Sequence, residues 1–232
     1  MSEALEKVRG ITQLPIFPLP LVLLPKELLP LHIFEDRYRE MLADIEHQGN
    51  FFGLSFFEPP ESFVDKPAAG TIGCVAEIRE SEKLPDGRSN ILTLGLVRYR
   101  LTDYVETGQP YLVGAVDFFE DESEVSLDLD RMADEVFELF ERMARAAFKM
   151  SGSRGSFPEI QRTDPESLSF LITAAFNFEN QKKYHLLEIT STPERLCDLK
   201  EVLDKTVGQM EDSANIHAAA RTNGHSNKKI DL

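Results

Sequence analysis

A run of eighteen residues near the start of the chain, Leu14 to Leu31, is almost wholly apolar yet holds five prolines: Pro15, Pro18, Pro20, Pro25 and Pro30. Its length matches a bilayer span, but its composition forbids a helix. A spanning helix must satisfy each backbone N–H internally. Each proline deletes a donor and costs roughly 3 kcal/mol in a helix interior. Lys26 and Glu27 add charge near the middle, and the polar leader MSEALEKVRG rules out a signal peptide by pattern. Proline is tolerated at strand starts, on edge strands and in turns. The run therefore predicts a short strand at Ile16-Phe17, a tight turn and a second short strand at Val22-Leu23. A wide connection through PKELLP then leads into a buried strand over 31–34.

The chain of 232 residues is long enough to bury roughly 70% of its unfolded surface without staples. A net charge of −15 repels phosphate backbones and anionic membranes, so bulk nucleic-acid binding is disfavoured. Cys74 and Cys197 read as buried apolar residues of a reducing cytosol, with a single disulfide as the alternative. The expected location is cytoplasmic, with no membrane partner.

Beyond the proline run the pattern gives mainly strands first and helices last, without a βαβ rhythm. EDRYREMLADIEHQG (35–49) predicts a helix, with Glu35 and Arg39 at i,i+4 spacing and a stripe of Tyr38, Leu42 and Ile45. FFGLSFF (51–57) predicts a strand. Two long arms around Pro85-Asp86-Gly87 predict a β-hairpin, the first with Ile72, Cys74, Ala76 and Ile78 on one face, the second apolar on both parities and hence central. PYLVGAVDFF (110–119) predicts a further strand. Nine of the nineteen residues from Asp117 to Glu135 are acidic, which predicts a solvated linker. Helical periodicity follows from Arg131. Thr163-Asp164-Pro165-Glu166 and Ser191-Thr192-Pro193-Glu194 each mark a helix start. From Glu211 the apolar period is lost, predicting a disordered tail. The expected organisation is α+β: a β-rich part over 10–120, a helical bundle over 131–210 and a tail over 211–232.

Catalytic patterns do not assemble. No two of the five histidines have H-x-x-x-H spacing, neither cysteine has a C-x-x-C partner, and the sequence holds no G-x-S-x-G elbow or phosphate-binding glycine loop. GSRG (152–155) reads as a flexible turn. No cofactor is expected, and the residues favour a binding or scaffolding protein over an enzyme.

Certain blocks carry a resemblance. Leu14-Pro15-Ile16-Phe17-Pro18-Leu19, then Pro30-Leu31-His32-Ile33-Phe34-Glu35 with Arg37-Tyr38, resemble the start of the Lon protease N-terminal, substrate-binding domain. The likeness continues through Gly70-Thr71-Ile72-Gly73, Asp86-Gly87-Arg88, Gly95, Arg98-Tyr99-Arg100, Pro110-Tyr111, Asp164-Pro165 and HLLEITSTPERLCDL, covering roughly residues 10–205. The family usually carries Phe-Pro-Gly where this chain has Leu24-Pro25-Lys26. The resemblance implies a PUA-like mixed β pseudo-barrel followed by a helical bundle. It also implies a non-catalytic, stand-alone module, because the chain ends before the ATPase and the Ser–Lys protease domain of full Lon. Such a module would bind unfolded or hydrophobic polypeptide segments, act as an adaptor in protein quality control, and partner a protease or chaperone. The alternative is a small-ligand- or RNA-binding PUA-like protein. Candidate peptide-binding residues are Phe51, Phe56, Phe57, Arg37 and Tyr38, with Phe52 and Phe63 beside them; the competing role for each phenylalanine is core. Phe17 and Phe34 are expected in the core, and His32 as a hydrogen-bonded structural histidine.

Overall fold

The computed structural model describes residues 2–47, 49–58, 66–122, 127–151 and 156–223, with side chains undescribed at 127, 214 and 217–223. Phe63, the GSRG turn and the tail from 224 lie outside the described residues. Six strands form one mixed sheet: β1 (Gln13–Leu19), β2 (Leu28–Ile33), β3 (Phe51–Phe56), β4 (Ile72–Lys83), β5 (Ser89–Tyr104) and β6 (Leu112–Phe119). Their order is β2-β5-β4-β3-β1-β6, and a further β5–β6 pairing closes the last five into a ring. The helices are α1 (Glu3–Lys7), α2 (Asp36–Ile45), α3 (Leu127–Met150), α4 (Pro165–Ala175), α5 (Asn180–Glu188) and α6 (Thr192–Asn223). The fold is α+β.

The proline run is accommodated by a division of labour within β1. Its first half pairs antiparallel with β6, Pro15 opposite Val113. Its second half pairs parallel with β3, Pro18 opposite Ser55. Each half is thus bonded on one side, and each proline occupies a stretch with a free side where no N–H is required. The expected strand at Val22-Leu23 is absent. Residues 20–27 are irregular, although Val22, Leu23 and Leu24 are all buried. Backbone polar groups in that buried stretch find partners outside a ladder: the Leu24 N–H donates to the Glu27 carboxylate at 2.9 Å.

β5 is the organising strand. Along one edge it pairs first with β2, over Ser89–Leu94, and then with β6, over Arg98–Tyr104. The handover falls at Gly95. Its N–H donates to the Glu27 carbonyl at 2.8 Å and its carbonyl accepts from the Lys26 N–H at 2.8 Å. A Cβ at this position would overlap the Leu24 carbonyl, so the close approach requires glycine. Lys26 adopts φ of 69°, the left-handed conformation for which glycine is suited.

The chain divides into two compact units, Met1–Glu122 with Phe170–Ser191, and Ser123–Ser169 with Thr192–Leu232. Residues 170–191, expected with the helices, fall with the strands. Phe170 and Leu187 join Val22, Leu24 and Ile72 in one buried cluster. The Ile72 N–H donates to the Tyr184 hydroxyl at 3.2 Å. Arg98 is 1% exposed on β5 and donates to the carbonyls of Leu187 at 3.1 Å and Ile189 at 2.6 Å. Asp121 is its ion-pair partner. A second cluster lies under α2, built on Phe17, Ile33, Tyr38, Met41 and Ile45. A third, around Leu14, Ile16 and Tyr99, lies inside the ring.

Parts of the expected solvated linker and of the expected disordered tail fall within regular elements. The acidic linker shrinks, because β6 runs to Phe119 and α3 starts at Leu127; residues 123–126 lie outside the described ones. The tail is helical to Asn223. In the second unit α3 and α6 pack together, with Lys200 paired to Glu135 at 2.5 Å and Arg142 gripping Glu211 through bonds of 3.0 and 2.9 Å. Arg195 is buried there and donates to the Ser169 hydroxyl at 2.7 Å.

Candidate polypeptide-binding surface

Sequence periodicity makes β2 (LLPLHI) apolar on both parities, and topology places it outside the ring. Among the described residues its one strand partner is β5. On the inner parity Ile33 is buried under α2, and Leu29 and Leu31 pack half-buried at the margin of the same cluster. On the outer parity Leu28 stands opposite Leu94, Pro30 opposite Leu92 and His32 opposite Asn90. Leu28 is 58% exposed, and Phe34, just past the strand end, is 61% exposed. Phe34 is therefore not core, as the sequence had suggested. Strand alternation turns its side chain away from α2, whereas Phe17 faces Tyr38 at 4.0 Å. His32 is exposed and held by a 2.8 Å hydrogen bond between Nδ1 and Asn90 Oδ1, with its ring stacked 6.2 Å from that of Phe34. Exposed Leu28, Pro30 and Phe34, with half-buried Leu92 and Leu94 beside them, make an apolar strip on this unit.

On the opposite side of the β4–β5 hairpin, α2 leaves a cleft of about 500 Å³. Its floor is Leu42, Ile78 and Leu84, and Arg39, Lys83 and Glu46 stand at its rim. These charges are engaged, Arg39 with Asp36 at 2.8 Å and Lys83 with Glu46 at 3.4 Å. The expected Glu35–Arg39 pair is replaced: Glu35 takes Arg37 instead, at 2.8 Å.

The five candidate residues do not converge on one groove. Phe51 packs half-buried against the ring-interior cluster. Phe56 packs against the Phe170 cluster, its ring 5.5 Å from Tyr184. Phe57 is half-buried, and its N–H donates to the Leu19 carbonyl at 2.8 Å. Tyr38 is core, and burial raises its hydroxyl pKa. Arg37 is exposed and lies 4.5 Å over the Tyr38 ring. Phe52 is wholly buried. Sequence reasoning missed the Leu28–Phe34 strip, although its signals were present: a central proline and period-two apolar residues on an edge strand.

Burial pushes the Cys74 thiol pKa well up, and Cys197, expected in the core, is exposed; both are free. Among the described residues no group of His, Cys, Asp or Glu is placed to hold a metal ion, and no helix is long and apolar enough to cross a membrane.

Comparison with known proteins agrees with this geometry. The crystal structure of a Lon N-terminal domain protein from Xanthomonas campestris superposes with a TM-score of 0.58 at 24% identity, covering 82% of this chain and 97% of that one. The N-terminal domain of Mycobacterium avium complex Lon protease gives 0.62 at 18% identity, covering 83% and 98%. These likenesses establish the fold. Lon protease of Dictyoglomus thermophilum is 26% identical over 190 residues, 79% of this chain and 23% of its own length. Lon protease of Bacillus thuringiensis is 26% identical over 209 residues, 84% of this chain and 26% of its own length. The chain thus spans about a quarter of these curated relatives. Residues 13–205 match the model of the ATP-dependent protease La (LON) substrate-binding domain, and the chain belongs to that family.

Proposed function

We propose that this chain is a non-catalytic polypeptide-recognition module that binds unfolded or hydrophobic segments and acts as an adaptor toward a protease or chaperone. The observation that carries the proposal is the exposed apolar strip on β2, with Leu28 and Phe34 both more than half exposed. Large apolar side chains grouped on a surface are the mark of a polypeptide interface. The family description, a substrate-binding domain, supports the same reading. So does the state of the reactive groups: the Cys74 thiol is held protonated by burial. Fluorescence anisotropy with labelled casein-derived peptides tests it. Saturable binding in the micromolar range is expected, and a flat titration to high micromolar protein rejects it.

A second reading, a small-molecule site, rests on the cleft beside α2, whose volume of about 500 Å³ falls in the range of ligand pockets. A substitution filling that cleft, Ala43→Phe, separates the two. It leaves peptide binding unchanged if the β2 strip is the site.

A further inference from the structure

We infer that the segment is captured by strand addition: an extended, uncharged, apolar stretch of an unfolded polypeptide pairs with the free edge of β2 and becomes a seventh strand. This rests on the polypeptide-recognition reading and specifies its mode and ligand.

The register defines which backbone groups are available. The Gly95 N–H donates to the Glu27 carbonyl and the Gly95 carbonyl accepts from the Lys26 N–H, so both backbone groups of Gly95 face the β2 side. In an antiparallel ladder hydrogen-bonded pairs alternate with non-bonded ones. Stepping along β2, Leu29, Leu31 and Ile33 therefore bond to β5, opposite Thr93, Ile91 and Ser89. Leu28, Pro30 and His32 fall in the non-bonded pairs, and their backbone groups face away from β5. The edge so presented has donors at Leu28 and His32 and acceptors at Leu28, Pro30 and His32. Pro30 sits where its missing N–H costs the native sheet nothing.

Edge strands are ordinarily protected against pairing by charged side chains, bulges or a covering element. Leu28–Ile33 holds no Asp, Glu, Lys or Arg, and Leu28, Pro30 and His32 on its outer parity are exposed among the described residues. Pro30 is the single blunting device, and it removes one donor while leaving three acceptors. Both faces beside the edge are apolar: Leu28 and Pro30 on the outer, Leu29 and Leu31 half-buried on the inner. An added strand would have neighbours to bury against on both parities. That selects an occupant with apolar side chains throughout about six residues, a composition that folded proteins keep inside and unfolded chains expose.

A second copy of this chain fits less well. A two-fold axis through the strand centre would set Pro30 opposite Pro30, so neither member of the central pair could donate. A partner strand without proline there satisfies the Pro30 carbonyl.

The test uses the whole chain and a labelled peptide with six apolar residues between charged solubilising ends. Residue-resolved amide exchange by NMR is the first readout. Saturating peptide is expected to slow exchange at Leu28 and His32 by about tenfold or more, while Leu29, Leu31 and Ile33 change little because they are already bonded to β5. The second readout is Pro30→Val, which supplies the missing edge donor and is expected to tighten binding by about two- to tenfold, the effect of one net hydrogen bond. Binding without protection at Leu28 and His32, or with no gain in Pro30→Val, overturns strand addition and leaves polypeptide recognition standing. Absence of any binding overturns both. A concentration-dependent dimer that Leu28→Lys disperses assigns the edge to a second copy and also overturns the inference.

Discussion

Removing Asp121 is expected to destabilise the protein by about 3–5 kcal/mol, the cost of leaving a buried charge without its partner. Its side chain is 2% exposed and that of Arg98 is 1% exposed, so solvent screens neither. With Asp121→Ala the Arg98 guanidinium keeps the Leu187 and Ile189 carbonyls and the rings of Phe119 and Phe170 at 4.7 and 5.3 Å, but no anion. Arg98→Met creates the opposite defect, a buried carboxylate plus two carbonyls stripped of a donor, and is expected to cost at least as much. The double variant removes both charges and leaves the two carbonyls as the residual penalty. Its cost should fall short of the sum of the single costs by about 2 kcal/mol or more. Urea denaturation followed by circular dichroism measures all three. A single-variant loss of about 3–5 kcal/mol corresponds to a Tm decrease on the order of 10 °C for a chain of this size. A loss under about 1 kcal/mol for Asp121→Ala, or strict additivity in the cycle, would refute the view that this pair is buried and mutually dependent.

Lys26→Gly relieves a left-handed backbone and is expected to stabilise by about 0.5–1 kcal/mol, the left-handed cost less the added chain entropy; a lowered Tm contradicts it. Burial raises the Glu27 pKa above 4.5, against the Leu24 N–H and Lys183. Because the folded state takes up this proton first on acidification, its contribution to stability grows as pH falls through the raised folded value and levels off below the unfolded one. Glu27→Gln is therefore expected to stabilise near pH 7 and to lose that advantage near pH 4, as paired denaturation curves would show; an advantage independent of pH counts against the assignment. Phe34→Ser is expected to change stability by no more than about 0.5 kcal/mol while weakening peptide binding several-fold, since the residue is already 61% exposed. Gly53→Ala places a methyl 2.7 Å from the Tyr99 ring, whose hydroxyl is fixed by Ser55 at 2.7 Å, and is expected to cost about 1–3 kcal/mol by overpacking; a thermal melt like that of the parent excludes this packing.

Local signals were legible wherever local chemistry decides. The hairpin follows from Pro85-Asp86-Gly87, with Gly87 at φ of 84°. The start of α4 follows from Asp164-Pro165: Asp164 accepts the Ser167 N–H at 2.9 Å, and despite partial burial these bonds hold its carboxyl pKa below the usual value. Features set by distant partners were not legible. Asp121 looked like one acid among nine in a solvated run, because its partner Arg98 lies 23 positions earlier, on β5. The helix past Glu211 shows no apolar period in the tail, and Glu211 pairs with Arg142, 69 positions earlier. Phe51, Phe52 and Phe56 lie on β3, with Phe57 just past its end, but period two cannot reveal which covering element each face meets, and those three went to separate clusters. The same blind spot put Phe34 inside. An apolar strand reads alike whether its outer face is covered or bare.

The path of the chain has a consequence for synthesis on the ribosome. Every strand has been made by residue 119, yet the strand-built unit is completed only by residues 170–191. Between those two moments Arg98 lacks the Leu187 and Ile189 carbonyls, and Val22, Leu24 and Ile72 lack Phe170 and Leu187. The emerging polypeptide must therefore wait through about seventy further residues, roughly four to fourteen seconds at ordinary elongation rates, with one side of its first-made half unsealed.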